Sequence, residues 1–332
     1  MTVLITGGVG AIGSNVARML VERGETVVIF DRILPKPDNT IIGGFGDKII
    51  AETGNVADLA TMLNVATRHK VDGVIHCAAM LPPIENDLHP IEAINTNIVG
   101  TANLLEIARS LELRRILVAS AAGVMGRPTD LKKPQGETDI SLPLGGIYPL
   151  TKLTCEQLVY SYRSLHNVNA TAFRPRNVYG PGANPRIQPL FEAFFEALSG
   201  KDVIREQGGD SVFDYTYIKD ICLGIVNLYL HDGEGLHHTY GLSRGRSTTM
   251  AEAFEALQAA FPERTIRIGS GPWKGVVEGG KEFQITTHPA EMPPLDISRA
   301  ANDFGYKPAW DIDQGLADWR RWFDTGEWGS LT

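Results

Sequence analysis

Tyr148 and Lys152, in "YPLTK", stand one helical turn apart, so their side chains reach the same face. A phenol with its ordinary pKa of about 10 is a poor base at neutral pH. An ammonium group beside it favours the phenolate and turns the pair into an acid/base for a substrate hydroxyl. A second candidate lies near the start of the chain. "LITGGVGAIG" presents Gly7, Gly10 and Gly13 directly after a β-branched run and before a helical pattern. Glycines there permit a tight turn and a close backbone approach. The N–H groups of the following turn, from Ala11 and Ile12 onward, suit a pyrophosphate. Asp31 ends the run "VVIFD", 18 positions after Gly13. Its carboxylate is placed to accept from ribose hydroxyls and to repel a 2′-phosphate, so NAD is expected over NADP, with Arg32 as a counterweight. For the tyrosine and lysine, spacing alone does not separate a catalytic pair from an ordinary amphipathic helix.

These residues need a scaffold, and the chain alternates short strands with longer helices. "TVLIT" (2–6), "TVVIFD" (26–31), the run inside "DKIIAETGNV", "VDGVIHCAA" (71–79) and "RRILVAS" (114–120) are strand-like. "AIGSNVARMLVERG" (11–24), "ADLATMLNVATRHK" and the stretch at about 90–112 are helical. This order predicts an α/β fold, a Rossmann-type doubly wound parallel sheet with its ligand crevice beyond the carboxyl ends of the strands. Gly7, Asp31, Cys77 and Ser120 are the strand-end candidates. The Pro-, Gly- and Asn-rich "NVYGPGANPRIQP" (177–189) breaks the rhythm and predicts a smaller C-terminal α/β substrate domain. The expected boundaries are 1–176 plus about 213–235 for the cofactor domain, and about 177–212 plus 236–332 for the substrate domain.

Composition narrows the partners. The 332 residues are 43% hydrophobic and 21% charged, which fits a soluble globular chain, and the formal net charge of −8 disfavours nucleic acid and anionic membranes. No apolar run approaches the roughly 20 residues of a membrane span. Cys77, Cys155 and Cys222 are widely spaced and odd in number, which fits a reducing cytoplasm. The N-terminus lacks the basic start and cleavage site of a signal peptide. The histidines lack metal-ligand spacing, so no metal is expected.

Further motifs follow in order along nearly the whole chain: "HCAA" (76–79), "NIVGT" (97–101), "FRPRNVYGPG" (173–182), "FDYTYIKDI" (213–221) and "LDISRAANDFGYKPAWDIDQGL" (295–316). Together with "TGGVGAIG" and "YPLTK", they make the chain resemble the extended short-chain dehydrogenase/reductases of the NAD-dependent epimerase/dehydratase group. The resemblance implies that Tyr148 is the acid/base and that Lys152 also holds the nicotinamide ribose. It implies cofactor contacts from Asn55 and Val56 along the adenine, and from Cys77, Ala78 and Ala79 along the phosphates and ribose. Pro175 would meet the carboxamide. Asn97 would lie beneath the nicotinamide half, with a helix-face amide bonding a loop carbonyl as an equal alternative. A homodimer is also implied, paired through helices 95–112 and 148–166. Leu104, Leu105, Ile107 and Leu111 on the first, and Leu158, Tyr160, Tyr162 and Leu165 on the second, then need a surface that covers them.

Two departures bear on the substrate. "LVASAAGVMG" (117–126) puts Ala121 where the family carries its catalytic Ser or Thr, with Ser120 one position earlier; Ser120 is taken as the hydroxyl that orients the substrate. Phe213 stands where nucleotide-sugar enzymes of the group carry a diphosphate-binding arginine, and "MLPPI" (80–84) is apolar. Arg176, Asn177 and Arg186 remain as substrate-binding candidates. The expectation is therefore an NAD-dependent oxidoreductase acting on a secondary alcohol or ketone of a small non-nucleotide substrate, of the sugar-acid or polyol class. The alternatives are a nucleotide-sugar 4-epimerase or dehydratase that recycles bound NAD, and an NAD-sensing binding protein with weakened catalysis.

Overall fold

The computed structural model describes residues 1–36, 39–81, 89–126, 130, 133–142, 146–183, 188–233, 235–273 and 293–329. Arg186, Gly145 and most of "MLPPI" lie outside the described residues.

Seven strands form the central sheet: β1 (Thr2–Thr6), β2 (Thr26–Asp31), β3 (Ile49–Thr53), β4 (Gly73–His76), β5 (Arg115–Ala119), β6 (Ala170–Pro175) and β7 (Thr239–Leu242). Their spatial order is β7-β6-β5-β4-β1-β2-β3, and every neighbouring pair is parallel. β1 therefore sits between β2 and β4, and the direction of winding reverses beside it.

Parallel pairing demands crossovers, and here the crossovers are helices: α1 (Ala11–Glu22), α2 (Leu59–Arg68), α3 and α4 (Ile147–His166), followed later by α6 (Ile218–Leu230). α3 is three contiguous helical runs, Pro90–Ile94, a π-helical Asn95–Val99, and Gly100–Ser110. Strand side chains alternate in direction, so each strand serves two cores. Val3, Ile5, Val27 and Ile29 pack with Val16 and Leu20 of α1 and Ile221 and Ile225 of α6. Leu4, Val28, Val74 and Ile116 pack with Met62 of α2, Leu104 and Leu105 of α3, and Val159 of α4. Covering both faces explains why the central strands read as unbroken apolar runs. α1 stops at Gly24, whose φ of +89° a residue with a side chain adopts only under strain.

The later segments build a second layer. α5 (Pro189–Leu198), α7 (Met250–Ala260) and α9 (Ile312–Thr325) pack beside three two-stranded pairings, while α8 (Ser298–Phe304) lies near β7. α7 begins with a reciprocal cap between Thr249 and Glu252. Phe194 stacks on Trp319 with centroids 3.7 Å apart and anchors α5 to α9. This layer shares one continuous apolar core with the α1 and α6 face of the sheet. Thr239–Leu242, which the expected boundaries leave with the substrate domain, is hydrogen-bonded to β6 as the edge strand of the main sheet.

Candidate active site

At the reversal beside β1 the chain turns sharply. Gly7 has φ of +68°, and a Cβ there would lie 2.6 Å from the Ala78 nitrogen, so the ends of β1 and β4 touch only because no side chain intervenes. A Cβ on Gly13 would overlap the Gly7 carbonyl oxygen. Gly10 is the N-cap of α1, whose first turn has no side-chain cap and no acidic residue. That turn, with Ala11 and Ile12 half-buried at its start, offers its N–H groups and positive dipole end to an anion. The Asp31 carboxylate ends β2 beside this turn and accepts the Val9 N–H at 3.1 Å and the Arg32 N–H at 2.7 Å. The Arg32 side chain is exposed. A turn closed to side chains, a free helix end and an adjacent carboxylate fit a dinucleotide.

The other cofactor candidates border the same crevice. Cys77, Ala78 and Ala79 follow β4 and are half-buried. Burial pushes the Cys77 thiol up to about 12, so it is a small apolar neighbour and not a nucleophile. Asn55 is exposed, and its side-chain oxygen accepts the Ala57 N–H at 3.0 Å. Val56 is buried against Gly100, where a Cβ would come 2.6 Å from its methyl group. Pro175 ends β6 opposite Leu242 and is half-buried.

α4 carries the tyrosine–lysine pair. Its N-cap, Gly146, has φ of +154°, and Pro149 sits in the first turn where no intrahelical N–H is required. The Lys152 ammonium lies 5.8 Å from the centre of the Tyr148 ring. Lys152 is buried and donates to the Ala119 carbonyl at 2.7 Å. Burial lowers its pKa, opposed by Cys155, Cys77 and Glu156. Burial raises the Tyr148 pKa, so its ionisation needs a nearby cation.

Asn97 lies in the π-helical run, an irregularity common at functional sites. Its amide brackets the Met80 backbone, accepting from N at 2.8 Å and donating to O at 3.3 Å, and also donates to the Thr151 hydroxyl at 3.0 Å. The Thr151 hydroxyl in turn donates to the Tyr148 carbonyl at 2.8 Å. Asn97 thus ties the loop after β4 to the turn that carries Tyr148.

Ser120 is engaged by another residue of α4. It is 2% exposed, and its hydroxyl donates to Glu156 at 2.5 Å. Glu156 also takes two bonds from Arg174, both at 2.7 Å. Sequence reading passes over Glu156 and Arg174. The available signal was that Glu156 follows Lys152 by one more helical turn, on the same face.

The substrate candidates are likewise occupied. Arg176 is 5% exposed. Its guanidinium donates to the Pro293 carbonyl and to Gln135, at 2.5 and 2.8 Å. Burial lowers its pKa to about 10, against the raising effect of Asp214. Asn177, with φ of +41°, donates to the Asp214 carbonyl and accepts from Gln188. Phe213 is 2% exposed and stacks on Tyr215 with centroids 5.4 Å apart. The structure brings Tyr148, Lys152, Asn97 and the glycine turn to one end of the sheet, and commits Ser120, Arg176 and Asn177 to internal bonds.

A sequence model of the NAD dependent epimerase/dehydratase family matches residues 3–241. A probable UDP-glucuronate 4-epimerase of Rhizobium meliloti (strain 1021) is 28% identical over 98% of this chain and 97% of its own length. An epimerase from Methanothermobacter thermautotrophicus superposes with a TM-score of 0.83 at 24% identity, over 97% of this chain and 92% of that one. The UDP-glucuronic acid 4-epimerase of Bacillus cereus, solved with UDP-glucuronic acid and NAD, superposes with a TM-score of 0.78 at 22% identity, over 98% of this chain and 100% of that one. At these identities the two superpositions establish the fold.

Proposed function

Because the chain belongs to the NAD-dependent epimerase/dehydratase family, we propose that it is a nucleotide-sugar 4-epimerase, acting on a UDP-linked hexuronate or hexose. The carrying observation is the end-to-end likeness to the probable UDP-glucuronate 4-epimerase, with Tyr148 beside Lys152 at the carboxyl ends of the strands. The small non-nucleotide substrate expected from the sequence gives way to this reading. That expectation rested on the missing arginine at position 213, where Phe213 is buried, and on the apolar "MLPPI"; the end-to-end likeness to a nucleotide-sugar epimerase outweighs both.

The glycine turn, the first turn of α1, Asp31 and Lys152 would hold NAD, which when bound supplies a hydride acceptor. The Tyr148 oxygen would take the proton of the reacting sugar hydroxyl as hydride leaves the same carbon, and return it as that hydride is restored to the opposite face, so the net change is inversion without net oxidation. Lys152, fixed by the Ala119 carbonyl, keeps a cation near the phenol and offsets the penalty that burial imposes on the phenolate. Asn97 and Thr151 hold the turn that aims the phenol. A panel of UDP-sugars, aldonates and polyols followed at the NADH absorbance band tests the reading. Conversion of a UDP-sugar with no added NAD and no NADH accumulation supports it. Steady NADH release from an aldonate or polyol, with every UDP-sugar inert, overturns it and restores the dehydrogenase. Wild-type redox behaviour of Tyr148→Phe would instead favour the NAD-sensing alternative.

A two-fold homodimer accompanies this reading. Leu150, Tyr160 and Leu165 of α4 are 54%, 53% and 75% exposed, and Ile91 of α3 is 68% exposed, enough apolar surface to favour a partner. Leu104, Leu105 and Ile107 are covered by their own chain, so the pairing face is narrower than the sequence suggested. Sedimentation at micromolar concentration decides, and a clean monomer overturns it. No helix among the described residues is long and apolar enough to cross a membrane. With all three cysteines as free thiols, a cytoplasmic setting is the accompanying expectation, checked by cell fractionation.

A further inference from the structure

We infer that Trp328 is a positioning residue for the cofactor: the segment after α9 clasps helix α1 through Asn15 and so sets how firmly NAD is held. The inference rests on the family's use of NAD and not on which sugar is bound. Trp328 is 3% exposed, and its indole N–H donates to the Asn15 side-chain oxygen at 2.5 Å. Asn15 is fully buried and spends its amide nitrogen twice, on the Ala11 carbonyl at 2.8 Å and the Pro181 carbonyl at 3.0 Å. Both ends of this amide are therefore engaged.

The partners give these bonds their meaning. Ala11 opens α1, the turn whose N–H groups face a pyrophosphate. Pro181 belongs to the loop after Val178–Tyr179, and that loop is pressed on the same turn: a Cβ on Gly182 would stand 3.1 Å from the Ala11 Cα. Asn15 thus ties the anion-binding turn to the loop that leads into the second layer, and Trp328 holds Asn15 in the rotamer that makes both bonds. The indole is fixed in turn. The Arg18 guanidinium lies 4.8 Å from its ring centre and the Lys219 ammonium 4.7 Å. Lys219 pairs with Asp318 of α9 at 2.7 Å, and Arg18 donates to the Ile41 carbonyl at 3.1 Å. Elements α1, α6 and α9 meet at one side chain.

Loss of the indole N–H leaves a buried amide oxygen without its donor, and Asn15 regains one only by rotating or by moving the turn. The turn has little room to move, because Gly7 and Gly13 already sit at closest approach. Hydrogen bonds to a phosphate weaken steeply with angle, so a small displacement of these N–H groups costs cofactor affinity.

Trp328→Phe removes the N–H and keeps most of the ring. Trp322→Phe is the control, because that indole, on α9 itself, donates to the Thr40 hydroxyl at 3.1 Å and not to Asn15. NAD is titrated calorimetrically into each stripped protein, with the NAD release rate and thermal midpoint measured alongside. Trp328→Phe should weaken NAD binding about tenfold, the size of one hydrogen bond lost at a buried acceptor. Trp322→Phe should match the unmodified protein. Unchanged NAD binding in Trp328→Phe overturns the inference, whatever its thermal midpoint, and so does equal weakening in both variants. Should Trp328→Phe fail to fold, amide exchange in the unmodified protein substitutes. NAD should slow exchange at residues 326–328, and unchanged exchange there overturns the clasp. The titrations contain no sugar, so their failure leaves the epimerase reading standing, and inert UDP-sugars leave the clasp standing.

Discussion

The glycine turn after β1 and the stretch from Arg174 to Asp214 both carry family motifs in order, but their polar groups end in opposite situations. In the first, the helix end is uncapped and Asp31 stands at the rim, half-buried beside the turn. In the second, Arg174 grips Glu156, Arg176 grips Gln135 and Pro293, and Asp214 takes Ser243 and Leu295. The anion-facing N–H groups of the turn come from one contiguous stretch, although Asn15 behind them is bonded from afar by Pro181 and Trp328. The second region joins segments up to 117 residues apart, as in the Arg176–Pro293 bond. A cation buried where distant segments meet is held by the groups they bring, and these bonds fasten the segments together.

The largest expected effect lies at the cofactor end. Tyr148→Phe should lower turnover by about 10²–10⁴ while leaving NAD affinity nearly unchanged. Lys152→Ala should harm both, as the proposed reading has it hold the cofactor as well as the phenol. An equal loss of NAD binding in Tyr148→Phe would make the tyrosine structural and erase the contrast.

The fastener reading of Arg176 comes next. Arg176→Met strands the Gln135 side-chain oxygen and the Pro293 carbonyl and should cost about 1–3 kcal/mol of stability in urea unfolding, with the substrate KM of the folded fraction little changed. Intact stability with a raised KM would return Arg176 to the ligands. Smaller again is Asp31→Ser, which should narrow the preference for NAD over NADP about tenfold in binding titrations, the scale of one charge-assisted bond. An unmodified protein with equal affinity for both would show that Arg32 governs the choice.

The smallest effects are in the pH dependence of stability. His76 is wedged between the Thr6 and Thr101 hydroxyls, and burial, then the Lys152 charge, hold its pKa down at about 3. The unfolded chain protonates first. This group's contribution is therefore complete above the unfolded pKa of about 6.5 and falls by at most about 1.4 kcal/mol per pH unit as pH drops toward 3. Asp220 works the other way. Burial raises it to about 6, against the N–H groups of Ala309 and Trp310, so its contribution is present below about 3.8 and lost as pH rises through 6. Between about pH 4 and 6 the two oppose each other. Urea midpoints across that window should tilt downward with rising pH in His76→Gln and upward in Asp220→Asn; identical slopes in both would refute the assignment.

Much of this was legible in the residues alone. The strand–turn–helix of residues 2–22, the alternation that makes the sheet parallel, and the one-turn spacing of Tyr148 and Lys152 are local patterns, and local geometry follows from backbone sterics and side-chain period. The π-helical run at Asn97, the inward turn of Ser120 onto Glu156, the capture of Arg176 and the burial of Phe213 left no such mark. The sequence reading passes over the strand Thr239–Leu242, whose place at the sheet edge depends on β6 lying beside it. Where a polar side chain points is settled by which distant group can meet its hydrogen-bonding need. That pairing exists only once β5, β6, α4 and the segment at 293–296 have come together, because a buried donor must find its acceptor wherever the fold has put one.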